Sequence, residues 1–312
     1  VKVVVTGADG FVGRRLVPRL CSAGHTVVAA LRPSASSDWQ PPEGVAAVPL
    51  ELTDDQSVGR IAALGPEAVV HLAAVASGGD ARRDPGHAWQ VNAVGTARLA
   101  EHLGRLRQAG SADPLLLLVS TAEVYGGGYA TPRIETDPTE PCSPYAASKL
   151  GAEVAALEVH RRTGLRVVVA RPFPHSGPGQ DERFVLPAFV RRLVLAKRAR
   201  APVVKVGNIE LVREFLHVAD VAEAYVALLD RGRAGAVYNV ASGAGVALAD
   251  VFFRLADMVG HRATPEVDAD LVRSADIPYL VGDATRLRAE TGWRPTISLE
   301  QLLRELVDAQ AH

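Results

Sequence analysis

Val1-Lys2-Val3-Val4-Val5-Thr6-Gly7-Ala8-Asp9-Gly10-Phe11-Val12-Gly13 opens the chain, and its reading decides the fold. The β-branched run Val1 to Thr6 fits a strand buried on both faces. It passes directly into three glycines at Gly7, Gly10 and Gly13, and then into the helical spacing of Leu16 and Leu20. Glycines at that spacing permit a tight turn and close approach of backbone to a ligand. The helix that follows presents its N–H groups and positive dipole end to an anion. A strand, a glycine turn and a helix in that order imply a dinucleotide site in a Rossmann sheet, with Gly7, Asp9, Gly10, Phe11, Val12 and Gly13 around the pyrophosphate.

The rest of the first half extends this α/β pattern. Thr26 to Leu31 reads as the second strand and ends at Arg32, where NAD-selective folds usually carry an acid. An arginine there, with Ser34 and Ser36 nearby, favours the 2′-phosphate of NADP, although NAD is not excluded. Val45 to Leu50 forms a third apolar run and Ala68 to His71 a fourth. The fourth exits through Leu72, Ala73 and Ala74, small enough for a cofactor to lie against the backbone. His71 reads as a packed core histidine. Leu115 to Val119 is the fifth strand, and Ser120 and Thr121 leave its carboxyl end, where ligands gather in open parallel sheets.

Ser143-Pro144-Tyr145-Ala146-Ala147-Ser148-Lys149 then begins a helix, with Ser143 as N-cap and Pro144 at the first helical position. Tyr145 and Lys149 lie one turn apart on one face. A neighbouring ammonium and a helix N-terminus both favour a phenolate, so this pairing is expected to lower the tyrosine pKa. Taken alone, the pair reads more readily as two residues of a solvated helix.

Composition sets the outer limits. The chain has 312 residues with a formal net charge of −1, so no electrostatic footprint points to nucleic acid or an anionic membrane. Its two cysteines, Cys21 and Cys142, form neither a disulfide framework nor a metal-ligand spacing. No apolar run reaches membrane-spanning length, and the first residues read as a strand and not a signal peptide. A cytoplasmic protein without a metal is expected.

The glycine spacing, Thr121, Tyr145 and Lys149 together resemble the extended short-chain dehydrogenases/reductases, the NAD(P)-dependent epimerase/dehydratase family acting on nucleotide sugars. The resemblance continues through Arg171-Pro172-Phe173, His175 to Gln180, Val206 to Phe215, His217 to Ala222, Tyr238 to Gly243, Arg273 to Pro278 and Gly292 to Pro295. These stretches are most similar to the branch that handles GDP-mannose derivatives, above all its 4-keto-6-deoxy-mannose reductases.

The resemblance implies roles for particular residues. Thr121 holds the substrate oxygen, Tyr145 supplies a proton, and Lys149 anchors the nicotinamide ribose. Glu51 and Leu52 contact the adenine, and Asn92 and Pro172 belong to the cofactor set. Glu123, Gln180, Asn208, Arg213 and Arg273 face the substrate along with Thr121 and Tyr145. Where members usually have a phosphate-binding asparagine this chain has Pro174, which lacks both a side-chain donor and a backbone N–H.

The expected activity is NADPH-dependent reduction of the C4 ketone of a nucleotide-linked 4-keto-6-deoxyhexose. A 4,6-dehydratase or 4-epimerase holding NAD is the nearer alternative, because Glu123 matches the base of dehydratases, while Ala122 stands where dTDP-sugar dehydratases carry an acid. A dinucleotide sensor without chemistry is the farther one. Residues 1–171 are expected to form the cofactor domain, with 213–241 returning to it. Residues 172–212 and 242–312 are expected to form the substrate lobe. Asp220 reads as a structural residue near a helix N-cap. Apolar helical faces over Val91 to Leu103 and Gly151 to Val159 fit a four-helix homodimer interface or ordinary helix–sheet packing.

Overall fold

The computed structural model describes residues 1–33, 39–272 and 276–311. Seven parallel strands form the central sheet: β1 (Lys2–Thr6), β2 (Thr26–Leu31), β3 (Ala46–Pro49), β4 (Ala68–His71), β5 (Leu115–Val119), β6 (Arg166–Pro172) and β7 (Val237–Val240). Their order is β7-β6-β5-β4-β1-β2-β3, so the winding reverses between β1 and β4. Ligand sites of doubly wound sheets open at such a reversal, outside the carboxyl ends of the strands. The glycine turn after β1 and the exit of β4 lie side by side there.

The strands are apolar on both sides because helices cover both faces. Val3 and Val5 pack with Leu16, Val17 and Leu20 of α1 (Gly13–Ser22). The intervening Val4 points to the opposite core, with Val58 and Ile61 of α2 (Asp55–Ala63), Leu99 and Leu103 of α3 (Gly95–Gln108), and Ala152 and Ala156 of α4 (Pro144–Thr163). A period of two along the strand thus feeds two separate cores. The partly buried Cys21 packs against the first of them.

A third core lies apart from the sheet. It is built from α5 (Val185–Ala199), α7 (Leu248–Val259) and α8 (Leu299–Ala311), with Phe189 packed edge-on to Phe252 at 5.5 Å. Short pairings join this region to the cleft. Val212–Arg213 lies between Val246–Ala247 and Tyr279–Leu280, and His175–Ser176 pairs with Leu216–His217.

Two expectations need correction. Residues 277–293, assigned to the substrate lobe, instead bury Ile277, Leu280, Ala284, Leu287 and Trp293 in the sheet core beside α6 (Val218–Arg231). Asp220 is not the cap of α6. His217 is, accepting from the Ala219 N–H at 3.1 Å. The Asp220 carboxylate instead accepts from Thr296 and Ile297, and its carbonyl accepts from the Trp293 indole at 2.9 Å. These bonds hold the returning segment on the sheet.

Among the described residues, no helix is long and apolar enough to cross a membrane, and no cluster of three His, Cys, Asp or Glu side chains is placed to hold a metal ion.

Candidate active site

The cofactor end of the cleft is made mostly of backbone. Gly7 adopts a positive φ of 65°, and a β-carbon there would stand 2.9 Å from the Ala73 nitrogen. At Gly13 a β-carbon would meet the carbonyl oxygens of Gly7 and Ala8, each at 2.5 Å. Only glycine lets the turn close and α1 start where it does. The first turn of α1 carries no acidic residue, and Val12 at its N-cap makes no side-chain bond to it. The Arg14 and Arg15 N–H groups are bonded to the Gly10 and Val12 carbonyls, but no side chain competes for the positive end of the helix dipole, and the cradle fits a dinucleotide pyrophosphate.

The neighbouring positions complete this end. The Asp9 carbonyl accepts from Arg14 Nε at 2.8 Å, and the Phe11 ring stacks on His175 at 6.3 Å. Thr6 Oγ1 accepts from the Ala73 N–H at 3.1 Å and bonds His71 Nδ1 at 2.8 Å. That fixes the small exit Leu72-Ala73-Ala74 over the turn. His71 also bonds Thr96 at 3.1 Å, and burial pushes its pKa down to about 3, which makes it a neutral core residue.

Arg32 is exposed at the end of β2. Glu51 is held below the usual carboxylate range, first by hydrogen bonds from Thr53 and also by the Arg32 charge, so these two residues are neighbours. Leu52 is buried under α3, against Gly95. Ser34 and Ser36 lie outside the described residues.

Three turns of α4 face the end of β5. Ser143 caps this helix by accepting from the Ala146 N–H at 3.1 Å. Tyr145, Lys149 and Glu153 then recur every four residues on the side turned to Val119, Ser120 and Thr121. Lys149 Nζ donates to the Val119 carbonyl, Ser120 Oγ donates to Glu153, and the Tyr145 phenol is hydrogen-bonded to Thr121. Thr121 also accepts from the Glu123 N–H at 3.2 Å.

The tyrosine pKa runs against expectation. Burial, and then the charge of Glu123, raise it above the ordinary phenol value; the Thr121 bond lowers it only in part. Lys149 does not offset this, because its ammonium is engaged by the Val119 carbonyl and burial brings its own pKa down to about 8. The chain thus presents a neutral phenol, suited to donating a proton.

Asn92 sits at a π-helical turn, Gln90–Val94, just before α3. Its amide is taken up by both backbone groups of Val75, at 2.8 and 3.2 Å, and by Ser148 Oγ at 2.9 Å. Ser148 in turn donates to the Tyr145 carbonyl at 2.8 Å. Asn92 thus ties Val75 to α4. Pro172 is buried at the end of β6, opposite Val240.

The expected substrate residues are less open. Gln180 Nε2 donates to the His175 carbonyl at 3.1 Å, and its Oε1 accepts from Ser176 at 2.6 Å. Asn208 accepts from the Glu210 N–H at 3.0 Å, and Arg213 Nη1 donates to the Val212 carbonyl at 2.8 Å. Arg273 lies outside the described residues. The Pro174 carbonyl accepts from the Leu216 N–H at 2.9 Å.

Two buried charges near the site were not singled out from the sequence, Glu153 and Arg171, which pair at 2.7 Å. Their signal was present: Glu153 continues the Tyr145–Lys149 spacing onto a core-facing turn, and Arg171 interrupts an apolar strand.

Comparison with known proteins agrees with this geometry. The profile of the family described as GDP-mannose 4,6 dehydratase matches residues 4–306. The GDP-6-deoxy-D-mannose reductase of Pseudomonas aeruginosa is 36% identical over 309 residues, covering 98% of this chain and 96% of that protein. A dTDP-glucose 4,6-dehydratase of Streptomyces griseus is 33% identical, covering 95% and 90%. The structure of RMD from Pseudomonas aeruginosa complexed with NADPH superposes with a TM-score of 0.82 at 35% identity, covering 99% and 98%. The Thermus thermophilus UDP-glucose 4-epimerase complex with NAD gives 0.86 at 30% identity, covering 99% and 98%. With the glycine turn, the parallel sheet and the Tyr145–Lys149 helix in place, the chain belongs to the GDP-mannose 4,6-dehydratase family of extended short-chain dehydrogenases/reductases.

Proposed function

We propose that this chain reduces the C4 ketone of a nucleotide-linked 4-keto-6-deoxyhexose with NADPH, GDP-4-keto-6-deoxy-D-mannose being the first substrate to test and GDP-D-rhamnose or its C4 epimer the product. The observation that carries this reading is the convergence of a neutral Tyr145 phenol and Thr121 at the end of β5, in a sheet whose first helix starts without a side-chain cap. The similarity to a GDP-6-deoxy-D-mannose reductase supports the substrate class.

When bound, NADPH supplies the hydride. Gly7, Gly10 and Gly13 hold its pyrophosphate against backbone, and Arg32 meets the 2′-phosphate. Thr121 donates a hydrogen bond to the carbonyl oxygen, where negative charge develops. Tyr145 transfers the phenolic proton to that oxygen, and Lys149 lies one turn behind it as a cation that stabilises the phenolate left behind.

The substrate lobe is assigned to the third core with residues 172–212. Substrate phosphate contacts are assigned to Arg213 and Arg273, in the absence of a donor at Pro174. A homodimer is proposed through α3 and α4, where a groove of about 870 Å³ is lined by Trp89, Ala147, Gly151 and Val154. Trp89 and Val154 are 43% and 60% exposed, more than a free apolar surface of this kind favours. The two free cysteines and the substrate class support a cytoplasmic location.

Incubation with GDP-4-keto-6-deoxy-D-mannose and NADPH tests the reading. Stoichiometric loss of nicotinamide absorbance, with a C4 hydroxyl on the 6-deoxyhexose in the NMR spectrum of the product, supports it. Conversion of GDP-mannose to its 4-keto-6-deoxy derivative with loss of water and no net cofactor consumption favours the dehydratase alternative, for which the nearness of Glu123 to Tyr145 is the specific observation.

A further inference from the structure

Val119, Ser120 and Thr121 are three consecutive residues, and each engages a different turn of α4: Lys149, Glu153 and Tyr145. The middle contact is the one without an assigned role. Glu153 accepts from Ser120 Oγ at one oxygen. Arg171 grips both, with Nε at 3.0 and 3.2 Å and Nη2 at 2.7 Å. The side chains of Glu153 and Arg171 are only 3% and 7% exposed. Arg171 also lies 4.8 Å over the Tyr125 ring, whose hydroxyl donates to Asn239 at 2.7 Å.

Stability alone is a poor reason for such a pair. Desolvation of two charges offsets much of their attraction, and an apolar pair of similar volume commonly serves as well. What an apolar pair cannot supply is a negative charge beside the buried cation one turn away. Lys149 has no carboxylate in salt-bridge contact among the described residues, and its donor bond goes to a neutral carbonyl.

We propose that Glu153 is a positioning residue of the active site: held by Ser120 and Arg171, its carboxylate keeps the Lys149 ammonium charged and in register with Thr121 and Tyr145. This rests on the reading of Lys149 as the lysine of the catalytic pair. The charge balance around Lys149 supports it. Burial lowers the lysine pKa to about 8, and Glu153 is the group that acts in the opposite direction. The other ionisable groups around it do not replace Glu153. His71, from β4, is neutral, and Tyr145, on the same helix, keeps its proton. Tyr225, from α6, faces Tyr145 and keeps its proton too, and Glu123 acts on Tyr145. Arg171, from β6, is a like charge held on the far side of Glu153.

The test needs no turnover. The chain has four lysines, Lys2, Lys149, Lys197 and Lys205, so the ε-carbon resonances of isotope-labelled lysine can be followed by NMR through a pH titration of the cofactor-free protein. Loss of one resonance in Lys149→Met assigns it. The wild-type resonance is expected to titrate near about 8. Glu153→Gln alone strands the Arg171 charge and risks unfolding, so Glu153→Gln/Arg171→Met, which removes both charges, is the deciding variant. With its thermal midpoint retained, the Lys149 titration should fall by on the order of one pH unit. Glu153→Asp, which keeps the charge, should restore most of the shift. An unchanged titration in a folded double variant overturns the proposal and leaves the pair a purely structural bolt. A shifted titration in a protein that does not reduce keto sugar nucleotides would sink the functional reading while leaving this inference standing.

Discussion

The two ends of the cleft are built differently. At the end proposed for the cofactor the backbone comes close because Gly7 and Gly13 carry no side chains. At the end proposed for the substrate stand polar side chains, each already bonded to its own segment: Gln180 to His175 and Ser176, Asn208 to Glu210, Arg213 to Val212. A backbone site is formed as soon as the strand and helix form, and it binds what the fold dictates. A side-chain site can be rewired by a change of one residue. This is a physical reason for one cofactor scaffold to be shared by the reductases, dehydratases and epimerases to which the chain is similar.

Between the two ends lies the chemistry, and there the largest effect is expected. Tyr145→Phe removes the proton donor while leaving the ring, so turnover should fall about 10²–10⁴-fold with NADPH affinity nearly unchanged. Because the phenol pKa is raised, the wild-type activity should show no titration of this group on the acidic side of neutrality. A pH–rate profile checks that. Near-normal turnover in Tyr145→Phe would move the proton to Glu123 and bring the dehydratase reading forward.

The next largest effect tests the backbone end. Gly13→Ala places a β-carbon against two carbonyl oxygens at 2.5 Å, which the turn relieves only by moving. A loss of about 1–3 kcal/mol in stability is expected, along with loss of NADPH binding. Thermal melting and cofactor fluorescence read the two separately. Retained binding with native stability would show that the turn is not the rigid cradle described.

How much was legible in the sequence follows the same division. The glycine turn and the Tyr145–Lys149 helix are local: spacing and capping residues within about two turns specify them. So are the strands, whose short apolar runs recur in the seven-stranded sheet. The return of residues 277–293 to the sheet core was not legible, because it depends on Asp220 bonding to Thr296 and Ile297 across a long sequence separation. The direction of the tyrosine shift was missed for a related reason. Spacing placed Lys149 beside Tyr145, but not the Val119 carbonyl that holds its ammonium, nor the burial that disfavours both charges. Asn92 was legible as a position matching the cofactor set of the family. Its partners, Val75 and Ser148, come from two other elements.

Lys149 gives a pH-dependent prediction of intermediate size. Its folded pKa of about 8 lies below the ordinary lysine value, so the fold disfavours the ammonium. Between pH of about 8 and about 10.4 the unfolded chain binds a proton that the folded chain does not, and stability should rise with pH across that window. Below it the penalty is constant. Lys149→Met removes the penalty and should be more stable at neutral pH by about 1–3 kcal/mol, while turnover and NADPH binding fall. Denaturant melts at neutral pH decide the matter. A destabilised Lys149→Met would mean that the bond to Val119 outweighs desolvation.

Arg32→Asp should reverse cofactor preference from NADPH toward NADH by roughly tenfold or more, through repulsion of the 2′-phosphate. Arg32 is exposed and next to Glu51, so the new carboxylate adds to an existing one. Binding constants for both cofactors, measured at fixed salt, carry this test. Equal affinities before and after the change would reduce Arg32 to surface charge.

The smallest effect should come from the substrate end, at Gln180. Its amide is held by the His175 carbonyl and by Ser176 Oγ, so only the second N–H of Nε2 is left for a substrate. Gln180→Ala should therefore cost about 1 kcal/mol of stability, the ordinary worth of a neutral hydrogen bond, and change KM for the keto sugar nucleotide by less than about threefold. Arg213→Ala is the control, because a guanidinium can hold the Val212 carbonyl with one N–H and still present others to a diphosphate. Its KM should rise well beyond that of Gln180→Ala. If the order is reversed, with Gln180→Ala weakening substrate binding while stability stays unchanged, then Gln180 turns into the cleft when substrate arrives. The substrate end would then be no more tied to its own loops than the glycine turn is to a side chain.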